Sequence, residues 1–133
     1  MHFYSIKLLT FKKSSLISEF LMADRERQQS WSEFLDSKRE NILFVRFVFS
    51  QDFKSVEEFA VIYVSIMDDK TRQILRYDCS VFEGVHVHQF YKKPLAKKYL
   101  KMEKSFDAIE ELVRTVREKW AVFLSEFKEN RYI

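Results

Sequence analysis

An apolar stripe with helical spacing runs through the last third of the chain and constrains the fold more than any other feature. Its members are Ile109, Leu112, Val113, Val116, Trp120, Phe123, Leu124 and Phe127. Side chains three and four residues apart share one face of an α-helix. Ser105 is a suitable N-cap, and acidic residues from Asp107 to Glu111 follow where the helix dipole favours negative charge. We therefore expect a long C-terminal helix that buries one face against a flat apolar surface.

The middle of the chain predicts a β-sheet that can supply this surface. The segments NILFVRFVF (41–49) and EFAVIYVSIM (58–67) are rich in the β-branched and aromatic residues that favour strands. DDKT (68–71) predicts a turn into RQILRYD (72–78), and VHVHQFY (85–91) predicts a further strand. Short connections favour pairing between strands that are neighbours in sequence. We therefore expect an α+β fold in which an antiparallel β-meander of about four strands packs against the long C-terminal helix.

The N-terminal third predicts an additional helix or strand within the same single domain, which we take as residues 1–133. HFYSIKLLTF (2–11) favours a strand, with Tyr4, Ile6 and Leu8 on one side. Two apolar sets at helical spacing come next, after a cap at Ser14 or Ser15: Leu16, Ile17, Phe20 and Leu21, and then Trp31, Phe34 and Leu35. The polar stretch between the sets predicts one helix with a solvated middle or two short helices. This region can serve as a dimerisation arm, a partner-binding lid or a cover for one sheet face.

Composition excludes several classes of protein. Gly84 is the only glycine, so the chain cannot build a glycine-rich phosphate loop or a dinucleotide-binding fingerprint. Cys79 is the only cysteine, which excludes an intrachain disulfide and a cysteine-rich zinc site and favours a reducing, cytoplasmic location. No apolar run approaches the roughly 20 residues of a membrane helix, and the N-terminus lacks the features of a signal peptide. Rare asparagine and a charged fraction of 32% are compatible with a heat-adapted source.

The segment RYDCSVFEGVHVHQF (76–90) carries the polar residues that can form a site. Side chains two apart on a strand point the same way, about 6.6 Å apart. His86 and His88 therefore share one face, and Arg76 and Asp78 share one face of the strand before them. If Leu75 and Tyr77 cover the same core face as Val85 and Val87, the four polar side chains must meet on the other face. Ile74 and Phe90 fall on this polar side, and Arg46 can face the same patch.

The chemistry expected of this group is acid–base catalysis without a cofactor. A carboxylate beside an imidazole fixes its tautomer and raises its pKa. His86 and His88 can flank a phosphodiester as base and acid, while Asp78 orients them and Arg76 binds the phosphoryl oxygens. These are the parts of a metal-independent ribonuclease. Two other interpretations stay open: a metal site in which Asp78 joins the two histidines as a ligand, and an Arg–Asp pair that only ties two strands together.

A lysine-rich segment, YKKPLAKKYLK (91–101), follows the histidines. Its candidate nucleic-acid-binding residues are Tyr91, Lys92, Lys93, Lys97, Lys98 and Lys101, with Tyr99 interleaved. Lysines near aromatic rings suit phosphate contact combined with base stacking. Because the net charge is only +3, this local clustering carries the prediction of nucleic-acid binding. The alternative is a solvated surface run. Cys79 is expected to be inert.

Arg76, Tyr77 and Asp78, followed by a loop, His86 and His88, a lysine-rich stretch and the C-terminal helix, resemble the TumE-like toxin family over roughly Phe59 to Phe127. The family pattern is Arg-Tyr-Asp, usually then Asn, a loop with Gly and Lys, and His-x-His. Cys79 stands where asparagine is usual, and the loop SVFEGV (80–85) lacks the usual lysine and aspartate.

The resemblance implies a toxin encoded with an antitoxin protein, with RNA as a target. The alternative function is a non-catalytic interaction module that binds a partner protein or nucleic acid through the basic segment. An exposed strand edge in the N-terminal third would also invite pairing with a second copy in a homodimer. A membrane partner is not expected.

Overall fold

The computed structural model describes residues 26–132, which form one antiparallel sheet and one long helix. The strands are β1 (Gln28–Phe34), β2 (Asn41–Phe49), β3 (Val56–Met67), β4 (Lys70–Ser80), β5 (Glu83–Gln89) and β6 (Ala96–Tyr99). The helix α1 (Phe106–Phe127) continues into a π-helical turn, Lys128–Tyr132. Each strand pairs with the next in sequence, giving a six-stranded sheet in the order β1 to β6. The α+β class, the meander and the terminal helix are confirmed, whereas the expected number of about four strands was too low.

The N-terminal part of the sheet differs from the prediction. Trp31 and Phe34, expected on a helix, lie on β1, which pairs along its whole length with β2. Trp31 is buried opposite Val45, and the Arg117 guanidinium lies 5.9 Å from its ring centroid. A short segment with few apolar residues fits both the helical and the strand period, so only the pairing with β2 shows that this segment is a strand. The strand predicted at 2–11 and the helix predicted from Ser14 lie outside the described residues.

Strand β6 lies inside the lysine segment, where no strand was expected. It pairs only with β5, so it forms one edge of the described sheet. Lysine is frequent on edge strands because its charge opposes pairing with a further chain. A charged edge strand therefore looks like a loop in the sequence.

The helix covers one face of the sheet. Residues aligned across five strands point to this face, and all are buried: Trp31, Val45, Val61, Tyr77 and Val87. Trp120 of α1 contacts Tyr63 with ring centroids 6.4 Å apart, and Phe106 contacts Phe47 at 5.7 Å. Complete burial of a large apolar side chain stabilises a fold by about 1.5–3 kcal/mol. This helix-covered face is therefore the core of the molecule.

The start of α1 matches the prediction. The side chain of Ser105 accepts a hydrogen bond from the backbone N–H of Ala108 at 3.1 Å, which satisfies one of the unpaired donors of the first turn. Asp107 lies in that turn. The apolar stripe then faces the sheet, with Ile109, Leu112, Val113 and Val116 buried.

A β-bulge changes the side to which one residue of β4 points. Tyr63 pairs with Leu75 and Val64 with Gln73, so Ile74 has no direct partner on β3. Two residues at a bulge can turn toward the same face. Ile74, expected on the polar side, is instead fully buried within the core. The alternate positions from Arg76 onward keep the opposite side, which we call the second face.

No helix within residues 26–132 combines the length and the apolar character needed to cross a bilayer.

Candidate functional site

The register of β4 and β5 brings the predicted polar residues together. Arg76 lies opposite His88, and Asp78 lies opposite His86. Leu75, Tyr77, Val85 and Val87 are all buried on the helix-covered face. Their burial fixes the register, as the sequence predicted. We call Arg76, Asp78, His86 and His88 the histidine cluster.

Asp78 links two members of the histidine cluster. Arg76 donates from Nε to Oδ2 of Asp78 at 2.8 Å, and Oδ1 of Asp78 lies 2.6 Å from Nε2 of His86. The ion pair with Asp78 involves only Nε of Arg76, so the Nη groups can donate to a second acceptor. Asp78 therefore fixes the Nε side of the guanidinium, and the side chain of Arg76 stays partly exposed.

His86 is enclosed, with a side chain that is 4% exposed. Its Nδ1 lies 2.9 Å from the carbonyl oxygen of Gly84, and its Nε2 faces Asp78. A carbonyl and a carboxylate are both acceptors, so the arrangement is satisfied when both ring nitrogens carry hydrogen. Both ring nitrogens of His86 therefore already have a partner within the protein, and a direct role of His86 on a substrate stays a prediction that this geometry does not favour.

His88 is the accessible histidine of the cluster. It is half-buried, its ring centroid lies 4.9 Å from that of His86, and it stacks on Phe90 at 5.9 Å. Burial lowers the pKa of His88, the positive charges of His86, Lys97 and Arg76 lower it further, and Asp78 opposes the shift. The sequence predicted the opposite direction, because it considered only the carboxylate. A lowered pKa favours the neutral ring, whose lone pair can accept a proton at neutral pH.

Two residues of β6 extend the cluster on the second face. Lys97 lies opposite His88, and Tyr99 lies opposite His86. The Lys97 ammonium donates to Oε2 of Glu83 at 2.8 Å, and the Tyr99 hydroxyl donates to the same oxygen. These two hydrogen bonds lower the pKa of Glu83 to about 2. The hydrogen bonds to Glu83 and Tyr99 raise the pKa of Lys97, which keeps its charge.

Arg76, His88 and Lys97 are thus aligned neighbours on three adjacent strands, and we call them the cation row. In the sequence Lys97 belongs to the lysine segment, and no pattern marks Glu83 as part of a site. The pairing of β5 with β6 places Lys97 beside His88, and the sequence does not show that β6 is a strand.

The other lysines do not join the cation row. Lys98 is aligned with Val87, so it points to the other side of the sheet from Lys97. Lys92 donates to Glu126 of α1 at 3.1 Å. Lys93 and Lys101 are exposed outside the strands. The lysine segment is therefore divided between the two faces and does not form one patch.

Tyr91, predicted to stack on a base, is buried. Its ring stacks on Phe123 of α1 with centroids 5.0 Å apart, and its hydroxyl accepts from Nε2 of Gln89 at 3.0 Å. The aromatic ring that the segment presents on the second face belongs to Tyr99, which is 63% exposed. Cys79 is buried, and burial raises the pKa of its thiol, which makes it a poor nucleophile.

The donor atoms of Asp78, His86 and His88 lie within 4.8 Å of one another, so they are the group that a metal ion would use. However, Nε2 of His86 and Oδ1 of Asp78 are only 2.6 Å apart. Two ligands of one tetrahedral ion at about 2.0–2.1 Å each would be separated by about 3.3 Å. The present arrangement is a hydrogen-bonded pair, and an ion would have to push the two side chains apart.

Arg46, expected near the cluster, does lie on the second face. It is aligned with Ala60, which is in turn aligned with Asp78. Arg46 is therefore two strands away from Asp78, and its Nη1 lies 4.0 Å from Glu58. It extends the positive charge of the second face toward β2 without contacting the cluster.

One comparison with known proteins gave a match. A family model described as Domain of unknown function (DUF7718) matches residues 22–133. No curated protein and no solved structure matches the chain. The matched residues include the histidine cluster, the cation row and the whole of α1, and on this evidence the chain belongs to the DUF7718 family.

Proposed function

We propose that the chain is a toxin-like, metal-independent ribonuclease in which His88 is the general base. The observation that carries this proposal is the position of His88. It lies between Arg76 and Lys97 on the face that the helix does not cover. A neutral imidazole between two cations suits a phosphodiester, because the cations bind its oxygens and the imidazole accepts a proton.

The reaction follows from these positions. His88 takes the proton of a ribose 2′ hydroxyl, and the 2′ oxygen attacks the adjacent phosphorus. The bond from phosphorus to the 5′ oxygen breaks, leaving a 2′,3′-cyclic phosphate, and the departing oxygen takes a proton from solvent. Arg76 donates through its Nη groups to the non-bridging oxygens, where negative charge increases in the transition state. Lys97 adds positive charge on the other side of His88.

Asp78 and His86 are positioning residues in this proposal. Asp78 holds the Arg76 guanidinium through Nε, and His86 holds Asp78. The charge of His86 also helps keep His88 neutral, since it lowers the pKa of His88. Neither residue needs to touch the substrate.

The toxin context adds an antitoxin partner and a cytoplasmic location, as the TumE resemblance implies. A surface that suits such a partner lies at the tip of the β4–β5 hairpin, between the paired residues Ser80 and Glu83. Phe82 at this tip is 98% exposed, and Val81 beside it is also exposed. Exposed aromatic residues are frequent anchors at protein interfaces. An antitoxin bound there would lie beside Glu83 and the cation row.

The test is RNA cleavage by purified protein in the presence of a chelator. We expect His88→Ala to reduce the rate by about 100- to 10,000-fold, the usual contribution of a general base. The matched control is His2→Ala, which removes the histidine that is not part of the cluster. Products should carry cyclic phosphate ends. Wild-type rates in His88→Ala, or complete loss of activity with the chelator, would contradict the assignment.

The exposed hairpin tip also favours a second candidate, the non-catalytic interaction module. In that case growth inhibition on expression would survive His88→Ala and would be lost in Phe82→Asp. The ribonuclease proposal predicts the reverse for His88→Ala. Expression of both variants with and without the candidate antitoxin, taken as the reading frame encoded next to this chain, separates the two functions.

A further inference from the structure

The second face carries exposed aromatic rings on both sides of His88. Phe44 on β2 is 41% exposed, and Tyr99 on β6 is 63% exposed. Phe44 is aligned with Ile62, which is aligned with Arg76. Tyr99 lies one strand beyond the histidines. His88 on β5 therefore has an aromatic side chain on each side: Phe44 three strands away, and Tyr99 on the neighbouring strand that also carries Lys97.

A cavity lies next to Phe44 on the same face. Its volume is about 430 Å³, and its lining includes Ser30, Ser32, Phe44, Arg46 and Ile62. The lining thus combines apolar side chains with two serines and an arginine. This combination suits a flat ring with polar edges, because the ring face needs apolar contact and its edge needs hydrogen-bond partners.

The spacing of these features suits a nucleic acid strand. β2 and β6 are four strand spacings apart, which is about 19 Å. A stacked strand advances about 3.4 Å per nucleotide, so about five or six stacked nucleotides, or fewer extended ones, span this distance. A phosphate at His88 then has room for bases toward Phe44 on one side and toward Tyr99 on the other.

Charge on the face is positive but partly neutralised. Arg46, Arg76 and Lys97 each have a carboxylate neighbour, namely Glu58, Asp78 and Glu83. Phosphate attraction alone is therefore moderate, and ring stacking must supply much of the affinity. Stacking needs bases whose faces are free, which a duplex does not offer.

We infer that the second face binds single-stranded RNA, with bases stacked on Phe44 and Tyr99 on either side of a phosphate held by the cation row. This inference rests on the proposed function for the choice of RNA, and it adds the strandedness of the substrate and the residues that bind its bases.

The experiment measures binding by fluorescence anisotropy of a labelled 2′-O-methyl RNA strand, which cannot be cleaved by its own 2′ oxygen. The same strand annealed to its complement is the duplex probe. We expect the single strand to bind more tightly than the duplex. Phe44→Ala and Tyr99→Ala should each weaken single-strand binding by about 5- to 150-fold, the range measured for loss of one stacked base. Binding should fall with salt with a logarithmic slope of about −2, for phosphate contacts by the three cations Arg46, Arg76 and Lys97.

Two further variants act as controls. Tyr99→Phe removes the hydroxyl that donates to Glu83 but keeps the ring, so it should bind as the wild type does. Val122→Ala removes an exposed apolar side chain from α1 and should also have no effect. Circular dichroism of each variant verifies that the fold is retained.

Equal binding of both probes, or wild-type binding by Phe44→Ala and Tyr99→Ala, would overturn the inference. It would also be overturned if Phe44→Ala changed only self-association in sedimentation, since the patch would then bind protein. The proposed function fails separately. Stacking-dependent binding without any cleavage would support this inference and remove the ribonuclease assignment, whereas cleavage without strand preference would do the opposite.

Discussion

The two faces of the sheet are made by alternate residues of the same strands, yet they hold different kinds of side chain. On the helix-covered face Phe47 and Tyr63 are fully buried and contact aromatic residues of α1. On the second face Arg76 and His88, at alternate positions of β4 and β5, are half-buried and polar. Burial on the helix-covered face fixes the register of the strands, and that register brings the polar side chains together on the second face. Along each strand, one residue therefore contributes to the core, and the next can contribute to the candidate site.

Polar groups also differ between the two faces. Asp36, in the β1–β2 turn, accepts from the backbone N–H groups of Glu40 and Asn41 and from the Asn41 side chain. Asn41 in turn accepts from the Tyr63 hydroxyl at 2.6 Å. Every partner in this network holds the turn against the core. In the histidine cluster, Asp78 and His86 are similarly enclosed, but the network ends at Arg76 and His88, which are accessible to a ligand. That open end makes the histidine cluster a candidate site, whereas the Asp36 network has only partners within the protein.

The largest expected effect separates the two faces by stability. Phe47→Ala removes a fully buried ring that packs against Phe49 and Phe106. We expect it to lower the free energy of unfolding by about 3–5 kcal/mol, a large part of the total for a domain of this size. Phe44→Ala, the matched change on the second face of the same strand, should cost much less. Urea denaturation followed by tryptophan fluorescence measures both, and equal losses would show that the second face is also core.

The helix-covered core could be predicted from the sequence more fully than the candidate site on the second face. The period of α1 and the alignment of Arg76 with His88 follow from burial of apolar residues, which the pattern shows directly. The cap at Ser105 follows from the preference of serine for that position. Burial of Tyr91 beneath α1 and of Ile74 at a bulge depends on how elements meet, and no local pattern contains that information. The direction of the pKa shift of His88 was missed for the same reason, since its largest cause is burial, and Lys97 comes near His88 only through the pairing of β6.

A smaller effect on stability is expected at the Asp78–His86 pair, which is enclosed like the Asp36–Asn41 network. Asp78→Ala leaves Nε2 of the enclosed His86 without its hydrogen-bond acceptor, since the other nearby carboxylate, Glu83, is 3.8 Å away. An unsatisfied buried polar group costs about 1–3 kcal/mol, so the loss should be smaller than for Phe47→Ala. The double variant with His86→Ala should lose less than the two single variants combined, because the residues are coupled. Additive losses in urea denaturation would mean that the pair does not interact in solution. Cleavage should also fall in Asp78→Ala, since Arg76 loses its orientation.

The smallest expected effect is a pH dependence that belongs to the second face alone. Burial lowers the pKa of His88 below the ordinary value of 6.5, the nearby His86, Lys97 and Arg76 lower it further, and Asp78 opposes the shift. The unfolded chain therefore binds a proton at this residue at higher pH than the folded chain does. The resulting contribution to stability is present above about pH 6.5 and is lost as the pH falls toward the pKa of the folded state. Cleavage should show the same direction, with full activity near neutral pH and loss below it.

We expect no such pH dependence of stability near neutral pH from groups outside the second face. Burial and the nearby Tyr91 raise the pKa of Tyr77 to about 12, and the lowered pKa of Asp36 confines its titration to a more acidic range. The difference in urea midpoint between wild type and His88→Gln, measured from about pH 7 to about pH 5, isolates the histidine, because the carboxylates titrate below this window. At the acidic end of this range, the wild type should be less stable relative to His88→Gln than it is at neutral pH. An NMR titration of the His88 ring checks the cause, and a midpoint above 6.5 would contradict it, since Asp78 would then outweigh burial and the three cations.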